Sequence, residues 1–193
     1  MPTLTVIIGS TRPGRAALPI AEWFAGVARR HGRFDVEVVD LAELALPFMD
    51  EPHHPRLRQY TKPHTKAWSA IIDRADAVVF VTPEYNYGYP AALKNAIDYL
   101  HEEWRDKPAG FVSYGGVAAG TRAVQQLKQV VTTLRMVPVV ESVNIPFHGQ
   151  FLVDSAVRAN DVMSGAADAM LDELARLELA LRPLRRQGRE RAA

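Results

Sequence analysis

VIIGSTRPGRAALP, Val6 to Pro19, passes from an apolar run through a turn bounded by Gly9 and Gly14 into residues that can continue as a helix. Two glycines with four residues between them, followed by a basic side chain, have the spacing of a phosphate loop, but its closing Lys and Ser/Thr are replaced by Arg15 and Ala16. Ala16 offers no hydroxyl to a magnesium ion, so a triphosphate-hydrolysing site is set aside. The dinucleotide fingerprint G-x-G-x-x-G is also missing, since the turn reads G-S-T-R-P-G. A single terminal phosphate, as on a mononucleotide, suits the turn better. Ser10 and Thr11 bring hydroxyls, Arg12 and Arg15 bring guanidinium groups matched to phosphate geometry, and a helix opening near Pro19 would add outward N–H groups. Taken alone, the segment is also compatible with an ordinary strand-to-helix turn carrying two surface arginines.

Outward from this turn, short runs dense in apolar and β-branched residues recur at Leu4–Ile8, Val36–Val39, Ala77–Val81, Ala109–Ser113 and Val137–Val140, the lengths expected of strands covered on both faces. Between them the period becomes helical. Leu93, Ile97, Leu100 and Trp104 share a face, as do Val124, Leu127, Val131 and Leu134, and later Met163, Ala167, Met170, Leu174, Leu177 and Leu181. Further helices are expected from Leu18 to about His31 and from about Thr65 to Ala75. Strands alternating with helices of this length require parallel crossovers, and five of them predict a three-layer α/β sandwich. Residues 44–63, with four prolines and no clear period, read as one long connection of functional interest.

The totals narrow the class. A chain of 193 residues with 48% hydrophobic and 23% charged residues suits one ordinary domain, assigned to residues 1–181. The absence of a long apolar run and of a secretory leader pattern predicts a cytoplasmic protein with no membrane partner. With no cysteine, disulfides, thiolate metal sites and cysteine nucleophiles are excluded, and any redox chemistry must come from a cofactor. The net charge of +1 conceals an uneven distribution, because residues 182–193 hold five Arg and one Glu, leaving −3 on residues 1–181. That basic stretch is expected to be a disordered, solvated tail rather than a nucleic-acid arm. His53-His54 has no partners at metal-ligand spacing, and no metal site is expected. No G-x-S-x-G elbow surrounds Ser10 or Ser113.

Two more turns leave predicted strands at the edge where parallel sheets bind ligands. TPEYNYGYPAALKNAIDYL, Thr82 to Leu100, sets three tyrosines, Asn86 and Gly88 ahead of a helix with Pro90 near its first turn. SYGG, Ser113 to Gly116, allows backbone to approach a flat ring closely. Phosphate at the first turn and a planar heteroaromatic ring between the second and third form one coherent arrangement. Glu84 is the one carboxylate inside the expected site, open to either a loop-fastening or a general-base role.

Together GSTRPGR, the middle motif and SYGG resemble the NADPH-dependent FMN reductase family of flavodoxin-like proteins, which includes quinone, azo-dye and chromate reductases. The resemblance covers roughly residues 1–151, and its most specific part is P-E-Y-N followed by G-Y-P-A-A-L-K-N. It implies a flavodoxin-like α/β/α sandwich with a five-stranded parallel sheet of order 2-1-3-4-5. It implies FMN as cofactor, its phosphate held by Ser10, Arg12 and Arg15. Pro83, Glu84, Tyr85, Asn86 and Tyr87 would line the ring on one side, and Ser113, Tyr114, Gly115 and Gly116 on the other. It further implies an oxidoreductase passing hydride from NADPH or NADH through FMN to a quinone, free flavin or similar small electrophile, with no compulsory protein acid or base. A homodimer or homotetramer would complete the pocket. A flavodoxin-type electron carrier and a flavin-sensing module are the alternatives. Ala16-Ala17 departs from relatives that carry Ser or Asn there, placing more of the phosphate contact on Arg15.

Overall fold

The computed structural model describes residues 1–192, with side chains described through residue 187. Four long strands form most of a parallel sheet: β1 (Thr3–Ile8), β2 (Asp35–Asp40), β3 (Ala77–Pro83) and β4 (Pro108–Tyr114). The fifth position is shared by β5 (Val137–Pro138), which pairs with the start of β4, and β6 (Val143–Ile145), which pairs with its end. The order is β2-β1-β3-β4-β5, as the family resemblance implies. The single strand expected over Val137–Val140 is thus cut short. Val139 N–H still bonds Ala109 O at 2.9 Å, but Val140 lies 84% exposed and strand pairing resumes at Val143.

Every residue of β3 and β4 is buried, as their unbroken apolar runs predict. Alternate side chains serve two cores. Leu4, Val6, Ile8, Val79 and Val81 pack toward α1 (Ala17–His31) and α6 (Asp161–Ala192), while Ile7, Val78, Phe80 and Phe111 meet α3 (Pro63–Arg74), α4 (Ala91–Asp98) and α5 (Thr121–Thr133). Leu93, Ile97, Leu100 and Trp104 are all buried, although α4 stops at Asp98 and Trp104 belongs to a separate 3₁₀ turn, Glu102–Trp104. A short α2 (Leu41–Leu44) follows β2 directly, capped by the Asp40 carboxylate, which accepts the Ala42 N–H at 2.9 Å. The proline-rich connection then runs over the surface, held by Asn95, whose amide spans Pro47 O and Met49 N, and by the Tyr99 hydroxyl.

Register places the site. Ile8 lies opposite both Asp40 and Val81, and Pro83 lies opposite Tyr114, so the turns after β1, β3 and β4 leave the sheet along one edge.

The start of the basic stretch, Arg182 and Arg185, is tied to the body of the protein. It continues α6, and Arg185 is buried between Glu178 and Asp76, the latter 3.4 Å away, while Arg182 pairs with Glu178 at 2.6 Å. Glu178 itself is buried, and a carboxylate withdrawn from water needs such cationic partners. The side chains of residues 188–193 lie outside the described part of the chain. No helix among the described residues is long and apolar enough to cross a membrane.

Candidate functional site

A cleft of about 870 Å³ opens where the three turns meet. Arg12 and Arg15 line it from the first turn, Pro83, Glu84 and Tyr85 from the second, and Tyr114, Gly115 and Gly116 from the third. Four residues named from the sequence are placed elsewhere. Ser10 is fully buried beneath the cleft, its hydroxyl 2.7 Å from that of Tyr85 and accepting the Arg12 N–H at 3.4 Å. Ser113 is also buried and donates to Asn144 Oδ1 at 2.9 Å, fastening β4 to β6. Asn86 and Tyr87 form the apex of a two-residue turn closed by paired Tyr85–Gly88 backbone bonds of 2.8 and 3.0 Å. Both have positive φ, 49° and 74°, as a type I′ turn demands.

That turn is anchored to α5. Glu84, its side chain only 6% exposed, accepts the Arg122 N–H at 3.2 Å and pairs with the Arg122 guanidinium, which also lies 3.9 Å over the Tyr87 ring. Gln126 donates to Tyr87 O at 3.0 Å. Of the two roles left open for Glu84, its contacts are those of a loop fastener.

The first turn differs in detail from its sequence reading. Arg15 N–H bonds to Arg12 O at 3.1 Å, and α1 then begins at Ala17, so Pro19 is its third residue rather than its first. No side chain caps this end, leaving first-turn N–H groups available. Gly9 serves packing: a Cβ there would lie 3.0 Å from Leu93 Cδ2 and 3.1 Å from Val81 O. Arg15 does not stand free. Its guanidinium pairs with Asp40 at the end of β2, and its Nε is buried without a partner. Arg12 has no ion-pair partner among the described residues.

Several lining groups escaped the sequence reading. Leu18 and Glu22 come from α1, His148 from the segment after β6, and Leu152 and Ser155 from a hairpin of β7 (Leu152–Val153) and β8 (Ala156–Val157). The hairpin was legible in principle, because Asp154-Ser155 sits between two apolar pairs and supplies the two positive-φ residues. His148 has no such local signal. Its Nδ1 lies 3.1 Å from Gly115 O, so that nitrogen carries the proton, and its ring meets Tyr114 edge-on at 5.1 Å. Burial, followed by the proximity of Tyr85, pushes the Tyr114 phenol up, which keeps it a neutral donor.

The donor set fits a phosphorylated planar molecule. The cleft falls within the roughly 300–1,000 Å³ of small-molecule sites. Arg12 and Arg15 line the cleft together with Tyr85, Tyr114 and the backbone of Gly115 and Gly116. A Cβ added at Gly116 would meet nothing within 4 Å, so the backbone there faces open space. No group of three or more His, Asp or Glu among the described residues is arranged to hold a metal ion.

Comparison with known proteins agrees with this geometry. The model of the NADPH-dependent FMN reductase family matches residues 2–150. An NAD(P)H-dependent FMN reductase of Schizosaccharomyces pombe is 45% identical over 162 residues, covering 81% of this chain and 80% of that protein. Another, from Saccharomyces cerevisiae, is 39% identical over 142 residues, covering 68% and 74%. Among solved structures, a flavoenzyme NAD(P)H:(acceptor) oxidoreductase of Paracoccus denitrificans superposes with a TM-score of 0.73 at 22% identity, covering 93% of this chain and 98% of that one, a likeness of fold. With more than half its length matched and three motif turns gathered on one edge, the chain belongs to the NADPH-dependent FMN reductase family.

Proposed function

We propose that this protein is an NAD(P)H-dependent FMN reductase and quinone oxidoreductase that holds FMN as a bound cofactor in the cleft. The observation that carries this reading is the convergence of three turns on one cavity, lined by two arginines from the first and by aromatic and backbone groups from the second and third. Arg12, Arg15 and the first N–H groups of α1 would receive the phosphate. Pro83, Glu84, Tyr85 and the backbone of residues 114–116 would hold the ring. Bound FMN supplies hydride transfer between a reduced nicotinamide and a small electrophilic acceptor.

The protein's own share is positioning. The type I′ turn and Arg122 keep Tyr85 at the cleft wall, and the Ser10–Tyr85 hydroxyl contact ties that wall to the floor. His148 holds Gly115 O through Nδ1–H, fixing the direction of the neighbouring amides. Exposed Tyr87, Val117 and Phe147 belong to the loops around the cleft and suit cover by a second copy of the chain in a homodimer or homotetramer.

The test is anaerobic mixing of FMN-reconstituted protein with excess NADPH, and separately NADH, followed by visible absorbance. Bleaching of the flavin bands, reversed by adding a quinone, is expected. A flavin that stays oxidised with both nucleotides overturns the reading.

A further inference from the structure

Resting on the FMN reading, we infer that Asp40 sets the affinity for the phosphate by compensating the charge of Arg15.

Asp40 ends β2, directly opposite Ile8, whose strand leads into the anion turn. Its side chain is 7% exposed and that of Arg15 16%, so the pair is largely withdrawn from water. Both Asp40 oxygens are engaged: Oδ1 accepts the Ala42 N–H at 2.9 Å, and Oδ2 takes the Arg15 guanidinium. Arg15 nevertheless lines the cleft, and its buried Nε has no partner. A phosphate arriving there meets a guanidinium whose charge is already matched by a fixed carboxylate. Of the other charged groups on the cleft wall, Glu84 is matched by Arg122, Glu22 adds a negative charge, and Arg12 has no ion-pair partner among the described residues. With Arg15 matched by Asp40, the wall presents less positive charge to a dianion than its two arginines alone would supply.

At close range in a partly shielded site, one fixed negative charge weakens anion binding by about tenfold or more. Removing that charge while keeping the Asp40 cap should therefore tighten FMN binding. A carboxylate whose role was only to orient Arg15 would give the opposite result, because its loss would release the guanidinium.

The experiment measures dissociation constants of FMN and of riboflavin, which lacks the phosphate, by flavin fluorescence titration of wild-type, Asp40→Asn and Asp40→Asn/Arg15→Ala proteins, with melting curves to verify folding. Asp40→Asn should bind FMN about tenfold more tightly and riboflavin equally well, and the gain should vanish in the double variant. Asp40→Ser, which retains a capping oxygen, should repeat the effect if the Asn variant fails to fold. FMN binding that is unchanged or weaker in a folded variant overturns the inference, as does an equal gain for riboflavin. If the wild-type protein bound neither flavin, the FMN reading itself would fall, a result distinct from normal FMN binding that ignores Asp40.

Discussion

Gly120 offers a sharp test of how the third turn is built. It is the N-cap of α5 with φ 80°, and a Cβ there would lie 2.9 Å from Ser113 Cβ, 2.9 Å from Tyr114 O and 3.0 Å from Tyr114 N. These belong to β4, which is locked between β3 and β6 and cannot retreat without breaking a ladder. In Gly120→Ala, a left-handed residue bearing a Cβ costs about 1–2 kcal/mol, and overpacking against backbone costs about 1–3 kcal/mol. The combined loss is about 2–5 kcal/mol, and at roughly 2–4 °C per kcal/mol for a chain of this size the Tm should fall by roughly 4–20 °C. Gly116→Ala is the control. Its Cβ meets nothing within 4 Å, so stability should stay within about 0.5 kcal/mol while flavin binding weakens. Calorimetry or urea denaturation of the two variants, together with flavin titration, reads both quantities. A Gly120→Ala protein as stable as wild type, or a Gly116→Ala protein equally damaged, would refute this account of the turn.

Other variants test separate parts of the site. Arg12→Ala should weaken FMN binding by roughly 10- to 150-fold, the loss of one charge-assisted phosphate contact, with little change for riboflavin in the same titration. Arg122→Ala should loosen the aromatic turn, raising amide hydrogen exchange across residues 84–89 and weakening FMN binding several-fold. Arg122→Lys, which keeps the charge but not the flat stacking, should be intermediate. Partial desolvation pushes the Glu51 carboxyl up, but the Thr61 and Lys62 amides and the Thr61 hydroxyl outweigh it and hold it at about 2 against an ordinary 4.5. Because the folded value is the lower one, this stabilisation is complete above pH 4.5 and is lost as pH falls toward 2. In Glu51→Gln the acid limb of the stability profile should be flatter across that window, and an unaltered limb in denaturation curves would contradict it.

Periodicity alone was enough for most of the architecture. Unbroken apolar runs marked β1, β3 and β4 because a parallel strand is covered on both faces, and faces of three and four residues marked the helices. Where the pattern misled, the cause was tertiary. The break between β5 and β6 falls at an exposed valine, Val140, where the chain leaves the β4 ladder before rejoining it at Val143. Arg182 and Arg185 looked like part of a solvated run because nothing in the local sequence shows that Glu178 is buried and in need of them.

The motif turns were likewise visible as chemistry: two arginines after one strand, tyrosines after another, a glycine pair after a third. Composition and order of residues determined the fold class and the family, because backbone hydrogen bonding and burial act over short stretches with recognisable periods. Which of those side chains face the cavity was decided by the folded chain. Asp40 is 25 residues from Arg15, Arg122 is 38 from Glu84, and His148 is 33 from Gly115. Such pairings depend on strand register, and register comes from the packing of the whole sheet rather than from any single segment.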